Sequence, residues 1–216
     1  MKYKESGDVY SILVDDSFYT GRVWDYFTIG PVLAGSPQDI LILGLGGGTV
    51  VKQFLGLFNA CIDVVEVNPN VVKLAEVYFD IKESDRLRIF ITDALDYIKN
   101  KEKKYDVIIV DVFEGDVVPD KFTTPEFMQL AASRLTEKGV MVANTITSGM
   151  LIRTSDVIFE NASKTFPSVY ALDDQSNRLA VCLAFATDRA DVFDRVDSFP
   201  NPLFAELKER IKSRIR

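Results

Sequence analysis

Four clusters of glycine and carboxylate residues sit at the ends of apolar runs in the middle of the chain. They are Gly44, Gly46, Gly47 and Gly48 in GLGGG, Glu66 in VVEVNPN, Asp93-Ala94 in ITDALDYI, and Asp111 with Glu114 in VIIVDVFEGD. Glycines let a backbone turn sharply and approach a ligand closely. A helix after such a turn offers free N–H groups and the positive end of its dipole to an anion or a nucleotide. Glu66 follows Gly44 at the interval of about 20 residues at which an acid takes the ribose hydroxyls in nucleotide-binding folds. An ionised carboxylate only accepts, so it can take both hydroxyl hydrogens. Asp93 has two readings, an acceptor for an adenine amino group beside the Ala94 N–H, or the N-cap of a helix. Asp111 and Glu114 could together hold an ammonium group and help deprotonate an amine nucleophile; alternatively, Asp111 only caps its strand or hydrogen-bonds the glycine loop. A GxGxxG dinucleotide fingerprint needs glycine at position 49, where Thr49 stands, which disfavours NAD.

The composition narrows the chemistry further. The chain has 216 residues and no histidine. His-based triads, His metal ligands and His general bases are therefore excluded within the chain, and a base must be Asp, Glu, Lys, Tyr or Cys. Cys61 and Cys182 lie in or beside apolar runs with no CxxC, which suits buried thiols rather than a metal or redox site. No metal site is expected. A net charge of −7 repels phosphate backbones and suits a cationic small substrate such as a polyamine. No apolar run approaches the roughly 18–20 residues of a membrane helix. The opening MKYKESGDVY also lacks the apolar core of a secretory signal. The expectation is a cytoplasmic enzyme, with neither nucleic acid nor membrane as partner.

These groups need a frame. From residue 39 onward, apolar strands (DILIL, CIDVVEV, RLRIFITD, YDVIIVDV, GVMVANTI) alternate with helical patterns at 49–58, 71–79, 94–99, from 124 toward Gly139, and at 151–165. Near-continuous apolar strands alternating with helices imply a parallel sheet covered on both faces. VYALDD and LAVCLAFAT follow each other without a helix, so they must pair antiparallel. The fold expected is α/β, Rossmann-like, with a mostly parallel seven-stranded sheet. Residues 1–35 read as a small β segment, 36–190 as the catalytic domain and 191–216 as a helical tail. SFYTGRVWDYFTI is included in the β segment for its β-branched and aromatic content. That segment could pair edges between subunits to form a homodimer.

The segments DILILGLGGG, VVEVNPNVV, ITDALDYI, KYDVIIVDVFEGD and KFTTPEFMQLAASRLTEKGVMVAN resemble the spermidine synthases, the polyamine aminopropyltransferases, over residues 10–187. That family lies within the class I S-adenosylmethionine-dependent methyltransferase fold. The resemblance implies transfer of an aminopropyl group from decarboxylated S-adenosylmethionine to a small-molecule di- or polyamine. It places the donor at the glycine turn, with Glu66 on ribose and Asp93 and Ala94 on adenine. Asp111 matches the acid that helps deprotonate the attacking amine, and Glu114 stands where the family has a second Asp for the amine. The chain departs from the family at three places. Gly47 replaces an Asp that grips the donor's amino end, Gly115 follows Glu114 where the family has Asp-Pro, and an N-terminal Gln has no match. Asp25 and Tyr26 lie in that altered segment without an assigned role. The alternatives are a methyltransferase using intact S-adenosylmethionine and a non-catalytic adenosyl-binding or partner-binding module, which would gain nothing from an acid at position 111.

Overall fold

Alternating residues of the central strands supply both cores. Ile40, Ile42, Val107, Ile109, Val140 and Val142 enter one apolar cluster, while Leu41, Leu43, Ile108, Val110, Met141 and Ala143 enter the other. This is the two-residue period of a strand with both faces covered. In the computed structural model, which describes residues 2–5, 8–12, 18–147 and 151–216, these residues lie in a seven-stranded sheet. Its strands are β3 (Asp39–Leu43), β4 (Cys61–Glu66), β5 (Leu87–Ile91), β6 (Tyr105–Val110), β7 (Leu135–Ile146), β8 (Ser168–Asp174) and β9 (Asn177–Leu183), in the order β5-β4-β3-β6-β7-β9-β8. The first five run parallel, and β9 pairs antiparallel with both β7 and β8. The sheet expected from the sequence is the one found.

Helices α3 (Thr49–Leu57) and α4 (Pro69–Phe79), with α8 (Arg189–Ser198) and α9 (Ala205–Arg214), cover the first face. Helices α5 (Ala94–Asn100), α6 (Pro125–Ser133) and α7 (Ile152–Thr165) cover the second. Local chemistry sets several boundaries. Asn68 and Thr124 cap α4 and α6, each with proline inside the first turn. Helix α6 stops at Ser133, short of Gly139, because Leu135 already pairs with Tyr105 in the sheet. Among the described residues, no helix is long and apolar enough to cross a membrane.

The N-terminal segment differs from expectation. Strands β1 (Lys2–Glu5) and β2 (Asp8–Ile12) do form an antiparallel pair. Residues 1, 6–7 and 13–17 of the segment lie outside the described residues. The stretch read as β from its composition instead forms α1 (Val23–Tyr26) and α2 (Ile29–Ala34). Packing decides against propensity here. Gly30 brings α2 so near the sheet that a Cβ would sit 2.9 Å from the Val142 side chain. Asp25, fully buried, ties the turn before α1 in place. It accepts from Thr20 N and Oγ1 (both 2.9 Å), Gly21 N (2.7 Å) and Gln53 Nε2 of α3 (2.8 Å), with Arg210 of α9 at 3.9 Å. Arg210 also donates to the Tyr26 hydroxyl, at 2.9 Å.

Asp25→Ala leaves the buried Gln53 amide and the partly buried Thr20 donors without this acceptor. It should cost at least about 3 kcal/mol, measured by urea denaturation; a loss below about 1 kcal/mol would show that Asp25 is not the anchor of the segment.

Candidate active site at the sheet switch point

The strand order reverses between β3 and β6, and in open α/β sheets a crevice opens there, at the carboxyl ends of the strands. Here that crevice is a cleft of about 670 Å³. Gly44, Gly46, Glu66, Asp93, Ala94, Asp111 and Glu114 all border it. Gly47 and Gly48 complete the glycine turn behind the wall, Gly48 at φ 84° as the residue before α3. Glycine at position 44 is required: φ is 97°, and a Cβ would overlap the Asp111 carbonyl oxygen.

Glu66 ends β4 with each carboxylate oxygen accepting one backbone N–H: Oε2 from Leu45 at 3.1 Å and Oε1 from Asn68 at 2.9 Å. It thereby joins the glycine turn to the start of α4. Each oxygen keeps a lone pair for a further donor. Asp93 Oδ1 caps α5, accepting from Leu95 N (2.8 Å) and Asp96 N (3.2 Å), and Oδ2 accepts from Lys121 at 2.5 Å. Burial acts to raise this carboxyl, but Lys121 and the helix N–H groups outweigh it and hold the group below the ordinary carboxylate range. The capping reading of Asp93 is therefore realised, with Lys121 added.

Asp111 lies at the cleft floor, one residue beyond β6. Its Oδ1 accepts from Asn144 Nδ2 at 2.9 Å, and Asn144 Oδ1 in turn accepts from Asn177 Nδ2 at 3.0 Å. Burial lifts the Asp111 carboxyl to about 6, against the lowering effect of the Asn144 hydrogen bond. The group can therefore be either protonated or ionised near neutral pH, as proton transfer requires. Glu114 is exposed on the following loop, in a turn closed by backbone bonds between Glu114 and Val117. On the opposite wall stand Arg22 and Trp24 of the N-terminal arm and the β8–β9 turn with Asp174 and Gln175. Asp25 and Tyr26 are absorbed in packing instead.

Among the described lining residues, six carboxylates (Glu66, Asp93, Asp111, Glu114, Asp116 and Asp174) face two cations, Arg22 and Lys121. The described lining therefore carries an excess of negative charge. Sequence reasoning missed Lys121, Asn144 and Asn177. Asn144 was marked only by being polar at the end of an otherwise apolar strand.

Fold and cleft together define a class I methyltransferase-type α/β domain with an acidic crevice at its switch point. Residues 28–172 match the spermine/spermidine synthase domain, and the chain belongs to that family. The polyamine aminopropyltransferase of Vibrio vulnificus is 37% identical over 138 residues, covering 62% of this chain and 44% of the relative. Human methyltransferase-like protein 13, solved in complex with SAH, matches with a TM-score of 0.69 at 25% identity, over 90% of this chain and 91% of that one. A spermidine synthase solved with the transition-state analogue AdoDATO gives a TM-score of 0.73 at 21% identity, over 88% and 72%. The chain spans less than half the length of the curated relatives it matches.

The raised Asp111 carboxyl has a consequence for stability. The folded state binds its proton more tightly than the unfolded chain, whose ordinary value is 3.8. This group's contribution therefore falls as pH rises from about 4 through about 6. Asp111→Asn removes the titration. Relative to wild type it should gain roughly 1–3 kcal/mol between pH 4 and pH 7.5, read by urea denaturation at both; a gap that does not widen with pH contradicts the assignment.

Proposed function

We propose that this cleft transfers an aminopropyl group from decarboxylated S-adenosylmethionine to the amino group of a di- or polyamine. The observation that carries the reading is Asp111: a carboxyl titrating near 6, oriented by Asn144, on the floor of a cleft with six carboxylates. Family membership supports it.

The adenosyl part of the donor lies along the ends of β3, β4 and β5. Gly44 and Gly46 let it approach the backbone, and the free lone pairs of Glu66 accept from the ribose hydroxyls. Ala94 and Asp93 border the adenine, where Lys121 shares the Asp93 carboxylate. The donor's reactive carbon then faces Asp111. The amine attacks this carbon: an N–C bond forms, the C–S bond breaks, and its electron pair goes to sulfur, leaving a neutral thioether. A sulfonium is already a good leaving group, so the chain contributes mainly alignment and a base. Asp111 accepts the proton the nitrogen must lose, and Glu114 at the rim attracts the incoming ammonium. A module that only bound a nucleoside would gain nothing from burying this carboxylate, which costs stability.

Methyl transfer from intact S-adenosylmethionine is the second reading. It is favoured by Gly47, which leaves the glycine turn without an acid for the donor's amino end, and by the likeness to a methyltransferase solved with SAH.

Incubation with decarboxylated S-adenosylmethionine and a series of diamines should release methylthioadenosine in step with aminopropylated amine, followed by mass spectrometry. Asp111→Asn should lower turnover at least about 100-fold with donor affinity nearly unchanged. Glu66→Ala should weaken donor binding about tenfold or more, because a charged acceptor for the ribose is lost. Wild-type turnover by Asp111→Asn would remove the base from this account.

A further inference from the structure

The contacts beneath Asp111 form a directed chain that starts at the β8–β9 turn. Asn177 donates to Asn144, and Asn144 donates to Asp111, at 3.0 and 2.9 Å. Sheet register creates the alignment. Val110 pairs with Ala143 in the parallel β6–β7 ladder, so Asp111 emerges beside Asn144. In the antiparallel β7–β9 ladder Asn144 pairs with Leu179 and Ile146 with Asn177. Asn144 and Asn177 are thus diagonal neighbours on one face of the sheet, within side-chain reach. Asn144 is buried and Asn177 partly so.

A side-chain amide has two ends of opposite polarity. Only its NH2 end is attracted to an ionised carboxylate; turned over, it would set oxygen against oxygen. Asn177 supplies a donor to Asn144 Oδ1, and this donor is lost if the amide turns. The position of Asn177 is itself fixed. It pairs with Asp174 at the end of the β8–β9 ladder. Gln175 turns the chain at φ 50° and accepts from Arg22 at 3.3 Å. The Ser176 carbonyl accepts from Thr147 N at 2.7 Å.

We propose that Asn144 and Asn177 are positioning residues for Asp111, and that the β8–β9 turn, through Asn177, fixes which end of the Asn144 amide meets the carboxylate and so keeps the base in its ionised form. For its effect on turnover this rests on the transfer reading above. As a statement about one carboxyl group it stands apart from that reading. Other charged groups face the same cleft: Glu66 from β4, Glu114 and Asp116 from the loop after β6, Asp174 from β8, Arg22 from the N-terminal arm, and the Asp93–Lys121 pair. On Asp111 itself burial favours the protonated carboxyl, and Asn144, in contact with it, works in the opposite sense.

The test is a 13C NMR titration of the Asp111 carboxyl in the whole chain, with kcat and donor KM measured across pH. Asn144→Leu should move the midpoint up by about one pH unit. Asn177→Leu, which frees Asn144 to turn, should move it in the same direction by less. The acid limb of kcat should follow both, with donor KM within threefold of wild type. An unmoved midpoint in Asn177→Leu overturns the role of the turn, and an unmoved midpoint in both variants overturns the whole chain. If Asn144→Leu does not fold, Asn177→Leu, at the partly solvated turn, decides alone. A shifted titration in a protein that transfers nothing would keep the relay and dismiss the aminopropyl reading. Aminopropyl transfer with an unshifted titration would do the reverse.

Discussion

The backbone of Gly44 approaches the Asp111 carbonyl so closely that no side chain fits between them. Strands β3 and β6 are neighbours whose chains leave in opposite directions, and this contact is where they part. It puts the glycine turn and the Asp111 carboxylate on adjacent strand ends. Glu66 then falls in place because β4 pairs with β3 on its other side and Gly44 N donates to the Val65 carbonyl at 2.8 Å. Asn144 falls in place because β7 pairs with β6. The electrostatics of the cleft follow from this geometry, since β4, β5 and β6 each bring an acid to this end of the sheet: Glu66 closes β4, Asp93 follows β5 by two residues and Asp111 follows β6 by one.

Two buried acids outside the cleft hold this arrangement. Asp25 binds the N-terminal arm to α3 and thereby fixes the wall that carries Arg22 and Trp24. Asp63 does the equivalent work farther down β4. Its Oδ1 meets Arg88 of β5 at 2.7 Å, and its Oδ2 accepts from Tyr105 of β6 at 2.9 Å and from Lys103 at 3.2 Å. Burial and the Asp63 charge push the Tyr105 hydroxyl far above its ordinary range, so it remains a donor. A buried carboxylate surrounded by donors is costly to break, and here it links three strands whose opposite ends form the site.

The sheet was legible because its central strands are near-continuous apolar runs and several of its helices carry caps, as at Asn68-Pro69 and Thr124-Pro125. The final antiparallel pair was legible because too few residues separate VYALDD from LAVCLAFAT for a crossover. The segment VWDYFTIGPVLAG was not, because aromatic and β-branched content says less about backbone than the surface it must cover. Its apolar residues also recur at helical spacing, and packing against Val107 and Val142 selects the helix. Gly139 was taken for a helix end because composition does not show that Leu135 is already paired. Of the candidate site residues, those on the glycine turn and at strand ends could be read from position alone. The amides could not: Asn144 and Asn177 lie 33 positions apart and meet only through the β7–β9 register. Lys121 was hidden likewise, since its partner Asp93 precedes it by 28 positions.

The central claim is that the cleft takes a donor with a cationic tail and no carboxylate. Six carboxylates against two cations around one pocket should disfavour the carboxylate of intact S-adenosylmethionine and accept an aminopropyl tail. Isothermal titration of the whole chain with the two donors tests this most directly. The account predicts that decarboxylated S-adenosylmethionine binds at least about tenfold more tightly, a difference of about 1.4 kcal/mol. Tighter binding of intact S-adenosylmethionine would contradict it and assign the cleft to methyl transfer, and failure to bind either would contradict the placement of the donor itself.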